Sequence, residues 1–137
     1  MKTEQGVLSM TVALWCILIA LLLNPLCALV AKASSGRFGL KDNHDPRAFL
    51  DTLSGLPRRA HAAQQNGYEA FPAFAAAVLV ADIVGNAEQV TQDVLGVMYI
   101  TSRLLYIICY LADWAALRSL MWLAGLALIV SFFVVSI

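Results

Sequence analysis

The chain of 137 residues is 61% hydrophobic and 13% charged, with nine basic side chains balancing nine acidic ones. That balance excludes an ordinary water-soluble domain, and with no basic stripe or base-reading motif a nucleic-acid partner is excluded too. Cys16, Cys27 and Cys109 lie in apolar runs without a C-x-x-C pair, and His44 and His61 have no ligand spacing, so the cysteines read as packing residues and no metal site is expected.

In chain order, Val7 to Val30 carries no charge over 24 positions. About 20 apolar residues suffice to cross a bilayer core, so this is the first span. The rival reading is a cleaved signal peptide ending at Ala31-Lys32-Ala33, but the apolar run exceeds the usual length of such a segment. Ser34 to Leu56 is a polar loop with a short helix around Arg47 to Leu53. A second helix starts at Pro57, where a missing N–H does no harm, and runs to Val84 before Gly85-Asn86 stops it. Pro72 inside it predicts a kink. Asn86 to Asp93 reads as a short acidic turn, followed by a third span over 94–111 and a fourth over 115–137.

Lys32, Arg37, Lys41, Arg47, Arg58 and Arg59 crowd the first loop, whereas 86–93 has no basic residue and the N-terminal tail only Lys2. The positive-inside rule therefore predicts that loop 34–56 is cytoplasmic and both termini lie on the far side. No linker, repeat or low-complexity tract interrupts residues 1–137. The expected fold class is all-α: one integral membrane four-helix bundle.

Polar residues line up within these spans. At 100° per residue, Arg59, Asn66, Glu69 and Ala73 share a sector of about 80°, and Tyr99, Arg103, Tyr106 and Tyr110 one of about 60°. Folding the two helices into an antiparallel hairpin about residues 86–88 sets Asn66 level with Tyr110 and Glu69 level with Tyr106, close to Arg103. A polar tier in the loop-one half of the bundle follows. Arg103 lies about 12 Å of helix from the membrane edge, too deep to snorkel easily, so a partner is expected and Glu69 is the natural one by depth. The bland reading is a structural ion pair; the sharper one is a pocket for a charged ligand. Tyr99 reads as packing, Trp114 and Trp122 as interface anchors, Asp82 as reaching the far headgroups or a neighbouring subunit, and Arg118, just past Asp113 in the third loop, as a further charge of the cytoplasmic side. The remaining surfaces of spans one and four are assigned to lipid or packing.

N-G-Y-E-A-F-P-A-F at Asn66 to Phe74 resembles the N-x-x-E-x-x-P-x-F signature of the MAPEG superfamily, membrane-associated proteins of eicosanoid and glutathione metabolism. R-L-L-Y-I-I-C-Y-L at Arg103 to Leu111 and L-R-S-L at Leu117 to Leu120 resemble its third-helix and fourth-helix motifs, as in a bacterial-type member. The resemblance implies a homotrimer holding glutathione, as co-substrate, between adjacent subunits near the cytoplasmic side of a bacterial inner membrane. It places Arg59, Asn66, Glu69, Arg103, Tyr106 and Tyr110 around the tripeptide, and Arg118 and Ser119, as catalytic residues, near its sulfur. Many glutathione-using members carry an Arg four residues before the Asn; that position is Ala62 here, and Arg59 lies on the same face one turn back.

A thiol with pKa of about 8.5 is mostly protonated at neutral pH, and a guanidinium beside it favours the nucleophilic thiolate. The expected function is thus a membrane-bound glutathione-dependent transferase or peroxidase, acting on lipophilic electrophiles that arrive from the lipid. Two alternatives stand beside it: a non-catalytic membrane protein whose polar tier serves assembly or lipid binding, and a small proton-coupled exporter. Such exporters place their acid in the first span, which is uncharged here.

Overall fold

The computed structural model of the protein describes residues 9–137. Its elements are helices α1 (Val12–Ser35), α2 (Pro46–Asp51), α3 (Gly55–Val84), α4 (Gln89–Leu111) and α5 (Ala115–Val134), with a 3-10 turn over Asp42–His44 ahead of α2. All but α2 are long and apolar enough to cross a membrane. Val7, Leu8 and Lys2, which entered the expected first span and its orientation, lie outside the described residues.

The helix boundaries have local causes. Thr11 caps α1, its Oγ1 accepting from the Leu14 amide at 3.2 Å, and Gly36 ends it in the left-handed conformation at φ 65°. The helix therefore continues five residues past Val30, because Ala31 to Ser35 are helix-compatible however polar they are. Asp45 caps α2 through the Ala48 amide, with Pro46 at the first helical position. Gly85, at φ 69°, ends α3 where expected. Both α1 and α3 remain helical through Pro25 and Pro72.

The acidic turn predicted over Asn86 to Asp93 is shorter than expected, since α4 already begins at Gln89. Its polar residues are used for capping: Asp93 Oδ1 accepts from the Ala13 amide at 2.9 Å and from Gln89 Nε2 at 2.9 Å, closing the open N-terminus of α1 from a neighbouring helix. Asn86 Nδ2 donates to the Ser136 carbonyl at 3.1 Å, fastening the end of the chain.

In the bundle, α1 packs most extensively on α3 and α4 on α5, and α3 and α4 also touch each other. The outer faces carry Leu29, Ile83, Val90 and Leu123, all more than half exposed, an apolar girdle suited to lipid or to further copies of the chain. Two buried clusters fill the interior. One joins Ala13, Cys16 and Ala20 of α1 to Phe74, Tyr99 and Phe132, with Phe74 and Tyr99 stacked at 3.8 Å between centroids. The other, at the loop-one end, packs Phe49, Leu50 and Leu53 against Ala31 and Ala60, so α2 plugs that end of the bundle. Cys16, Cys27 and Cys109 are buried free thiols.

Candidate functional site

Between the two apolar clusters lies a layer that is neither. On α1 it begins after Ala20, on α3 before Phe74 and on α4 after Tyr99, and it holds Asn24, Asn66, Gly67 and Arg103. A charge at this depth must be enclosed or pay a desolvation penalty of about 2.5–3.5 kcal/mol or more. Arg103 is enclosed: it is 5% exposed, its Nη2 donates to Asn66 Oδ1 at 3.0 Å, and its Cζ lies 4.3 Å from the centroid of Tyr106.

From Arg103 the polar residues ascend toward the loop-one end as a ladder of cations and rings. Tyr106 meets Tyr110 edge to face at 5.6 Å and 77°, and Tyr110 in turn carries the Arg118 guanidinium at 4.4 Å from its centroid. Each guanidinium thus lies on the electron-rich face of a tyrosine, an arrangement favoured where water is scarce. The spacing i, i+3, i+7 on α4 sets Arg103, Tyr106 and Tyr110 on one stripe, and the turn at Asp113, a non-glycine residue at φ 62°, brings the start of α5 back over it. Arg118 is only partly exposed, so it is presented at the mouth of the ladder.

A cleft of about 220 Å³ opens beside this layer, between α3, α4 and α5. Asn66, Glu69 and Arg103 give it a polar side; Trp122, Leu126 and Ile129 give it an apolar wall. Trp122, expected only as an interface anchor, therefore also lines the cleft. Tyr99, expected to pack, does so at 1% exposure.

One expectation changes, the pairing of Arg103 with Glu69, and two further residues, Arg59 and Ser119, have partners of their own. Glu69 is not the partner of Arg103: among the described residues it makes no ion pair or hydrogen bond, and its side chain is exposed on the protomer. Residue count sets Asn66 level with Tyr110 and Glu69 nearer to Arg103, but the Arg103 side chain reaches Asn66, and Glu69, a turn along α3, is turned outward. Arg59 is engaged, its Nε and Nη2 both donating to the Leu111 carbonyl at 3.2 and 3.1 Å, where they close the C-terminus of α4. Ser119 is exposed and donates to the Ala115 carbonyl of its own helix at 3.1 Å.

One residue of the layer was missed altogether. Asn24, within the span assigned to lipid and packing, is 3% exposed and sits directly against Gly67. A single amide inside an uncharged apolar run was the signal, because such a group must find the bundle interior. Among the described residues no group of three or more His, Cys, Asp or Glu side chains is placed to hold a metal ion.

The chain belongs to the MAPEG family, whose sequence model matches residues 12–137, and it is an integral multi-pass membrane protein. No curated protein matches it at a significant level.

Proposed function

We propose that the protein is a glutathione-dependent transferase or peroxidase of the membrane, working on lipophilic electrophiles. The observation that carries this reading is the unbroken ladder from Asn66 through Arg103, Tyr106 and Tyr110 to Arg118. A purely structural arginine needs one partner; this chain of contacts continues to a second guanidinium at an open edge.

In this reading the tripeptide lies along the ladder on the outer face of the protomer, in a homotrimer whose adjacent subunit closes the site. Glu69, unpaired and exposed, accepts from the ligand ammonium. Arg103 faces a carboxylate, and Arg59 offers its remaining Nη1 donors to another, a forked match that lysine lacks. Arg118 stabilises the thiolate at the mouth, with Ser119, whose hydroxyl proton is engaged on the Ala115 carbonyl, as its polar neighbour. The apolar wall of the cleft receives the electrophile from the lipid. Loop one, with six basic residues in and beside it, is cytoplasmic, and the membrane is a bacterial inner membrane.

The test is a thermal-shift titration of the full-length protein with glutathione in detergent, followed by turnover with a chlorinated aromatic. A ligand that binds only the folded state raises its apparent stability. No shift at millimolar glutathione together with no turnover overturns the proposal.

A second reading is favoured by the engagement of Arg59 on Leu111 and by Ala62: a non-catalytic family member that uses the outward Glu69 for assembly. Here Glu69→Gln disrupts the oligomer, and an unchanged mass in detergent argues against it.

A further inference from the structure

Beside the cleft, α1, α3 and α4 enclose a second, much smaller space of about 10 Å³, with Asn24, Gly67, Tyr99 and Arg103 among its walls. Asn24 has no functional assignment in the reading above, yet it is the only polar side chain that the described part of α1 sends into the polar layer. Its Nδ2 is buried and has no hydrogen-bond partner in the protein. An amide N–H left unpaired inside a bundle is strongly disfavoured, and native proteins satisfy such groups with protein atoms or ordered water.

The chemistry of the walls defines the occupant. Asn24 Nδ2 and the guanidinium of Arg103 are both donors, and Arg103 has five N–H groups of which one is taken by Asn66. Two donors on one small cavity require an acceptor between them. The volume is that of about one water molecule, whose oxygen accepts two hydrogen bonds. Larger anions do not fit. Gly67 makes the arrangement possible, since a Cβ there would collide with the Asn24 amide oxygen.

We propose that Asn24 is a positioning residue: through a single buried water it holds one side of the Arg103 guanidinium, while Asn66 binds it by a hydrogen bond and the Tyr106 ring packs against its central carbon. Arg103 is thereby fixed from three helices and its remaining donors point toward the cleft. The consequence for ligand binding rests on the proposed glutathione site; the clamp itself does not.

The full-length protein, labelled with ¹⁵N-arginine and reconstituted in lipid nanodiscs, tests this without any ligand. Asn24→Leu removes the donor at similar size, and Arg103 side-chain N–H groups then exchange with solvent about tenfold faster, the worth of one hydrogen bond to a charged group, while Arg118 is unchanged. Asn24→Ser, which keeps a donor and leaves room for solvent, stays near wild type. Exchange at Arg103 within twofold of wild type in Asn24→Leu, or equal acceleration in both variants, overturns the proposal. If Asn24→Leu does not assemble, experimental density for the wild-type protein decides: a solvent peak bridging Asn24 Nδ2 and Arg103 supports the clamp, and its absence overturns it. A parallel glutathione titration separates the two readings. Loosened Arg103 with unchanged affinity in a protein that binds glutathione removes Arg103 from the ligand site and leaves the clamp standing; unchanged exchange removes the clamp and leaves the ligand site standing.

Discussion

The Arg103 guanidinium on α4 is held between the Asn66 amide oxygen of α3, 3.0 Å away, and the ring of Tyr106 one turn along its own helix, 4.3 Å away. Neither contact neutralises the charge. The cation is instead hydrogen-bonded, covered and kept available on the cleft side, which is what a binding group for an anion requires and what a closed ion pair with Glu69 would have prevented.

Asn66→Leu therefore leaves a buried guanidinium short of one acceptor. We expect a loss of about 1.5–3 kcal/mol of stability, read as a fall in the thermal midpoint in detergent. Asn66→Asp, which supplies a charged acceptor at the same place, should fall less. Equal effects of the two changes would show that the Arg103 contact contributes little.

Gly67→Ala places a methyl on the Asn24 amide, where both helix backbones are fixed by packing. Overfilling of this kind is expected to destabilise by about 1–3 kcal/mol. Adding Asn24→Ala makes room, so the double variant should be more stable than the simple sum of the two single changes predicts. Strict additivity in a double-mutant cycle, measured by thermal unfolding, would rule out the contact.

Arg59→Ala strips two donors from the Leu111 carbonyl at the end of α4. The expected loss is about 1.5–3 kcal/mol at most, reduced because Arg59 is partly exposed. Its signature is local: backbone amides of 112–114 should exchange faster with deuterium while those near Gly85 do not. A protein that loses glutathione affinity but keeps wild-type exchange at this turn would mark Arg59 as a ligand residue alone.

Arg118→Ala tests the thiolate step of the proposed reaction. Removing a fixed positive group beside a developing or stabilised anion lowers turnover by about 10²-fold, and the ultraviolet absorbance of bound thiolate should fall with it. Ser119→Ala, whose hydroxyl already donates to Ala115 and can only accept from the ligand, should have a clearly smaller effect. Stability should change little in either variant, because both side chains lie at the edge of the bundle. Unaltered thiolate absorbance in Arg118→Ala would remove Arg118 from the reaction.

What was legible in advance follows from how local each property is. Membrane spans are set by runs of apolar residues, and their ends by residues with strong conformational preferences, so Gly85 and the turn before Ala115 fell where polarity and backbone chemistry placed them. Where polarity was taken for a boundary, the helices ran on: Ala31 to Ser35 extend α1 until Gly36 turns left-handed, and Gln89 to Asp93 open α4 before its expected start, because polar residues are compatible with helix. The motifs around Asn66, Arg103 and Arg118 were likewise a matter of spacing along single helices.

By itself, then, the sequence determined that the chain carries four helices fit to cross a membrane, the order in which they come, and which family it belongs to, since apolar runs and motif spacing are properties of single helices. Tertiary structure decided how each helix is rotated about its axis. That rotation chose Asn66 over Glu69 for Arg103, sent Arg59 to the Leu111 carbonyl, and turned Asn24 inward against Gly67. The reason is that rotation is fixed by the interlocking of side chains from several helices at once, here by a missing Cβ at Gly67 and a stacked Phe74–Tyr99 pair, and no single helix carries that information in its own residues.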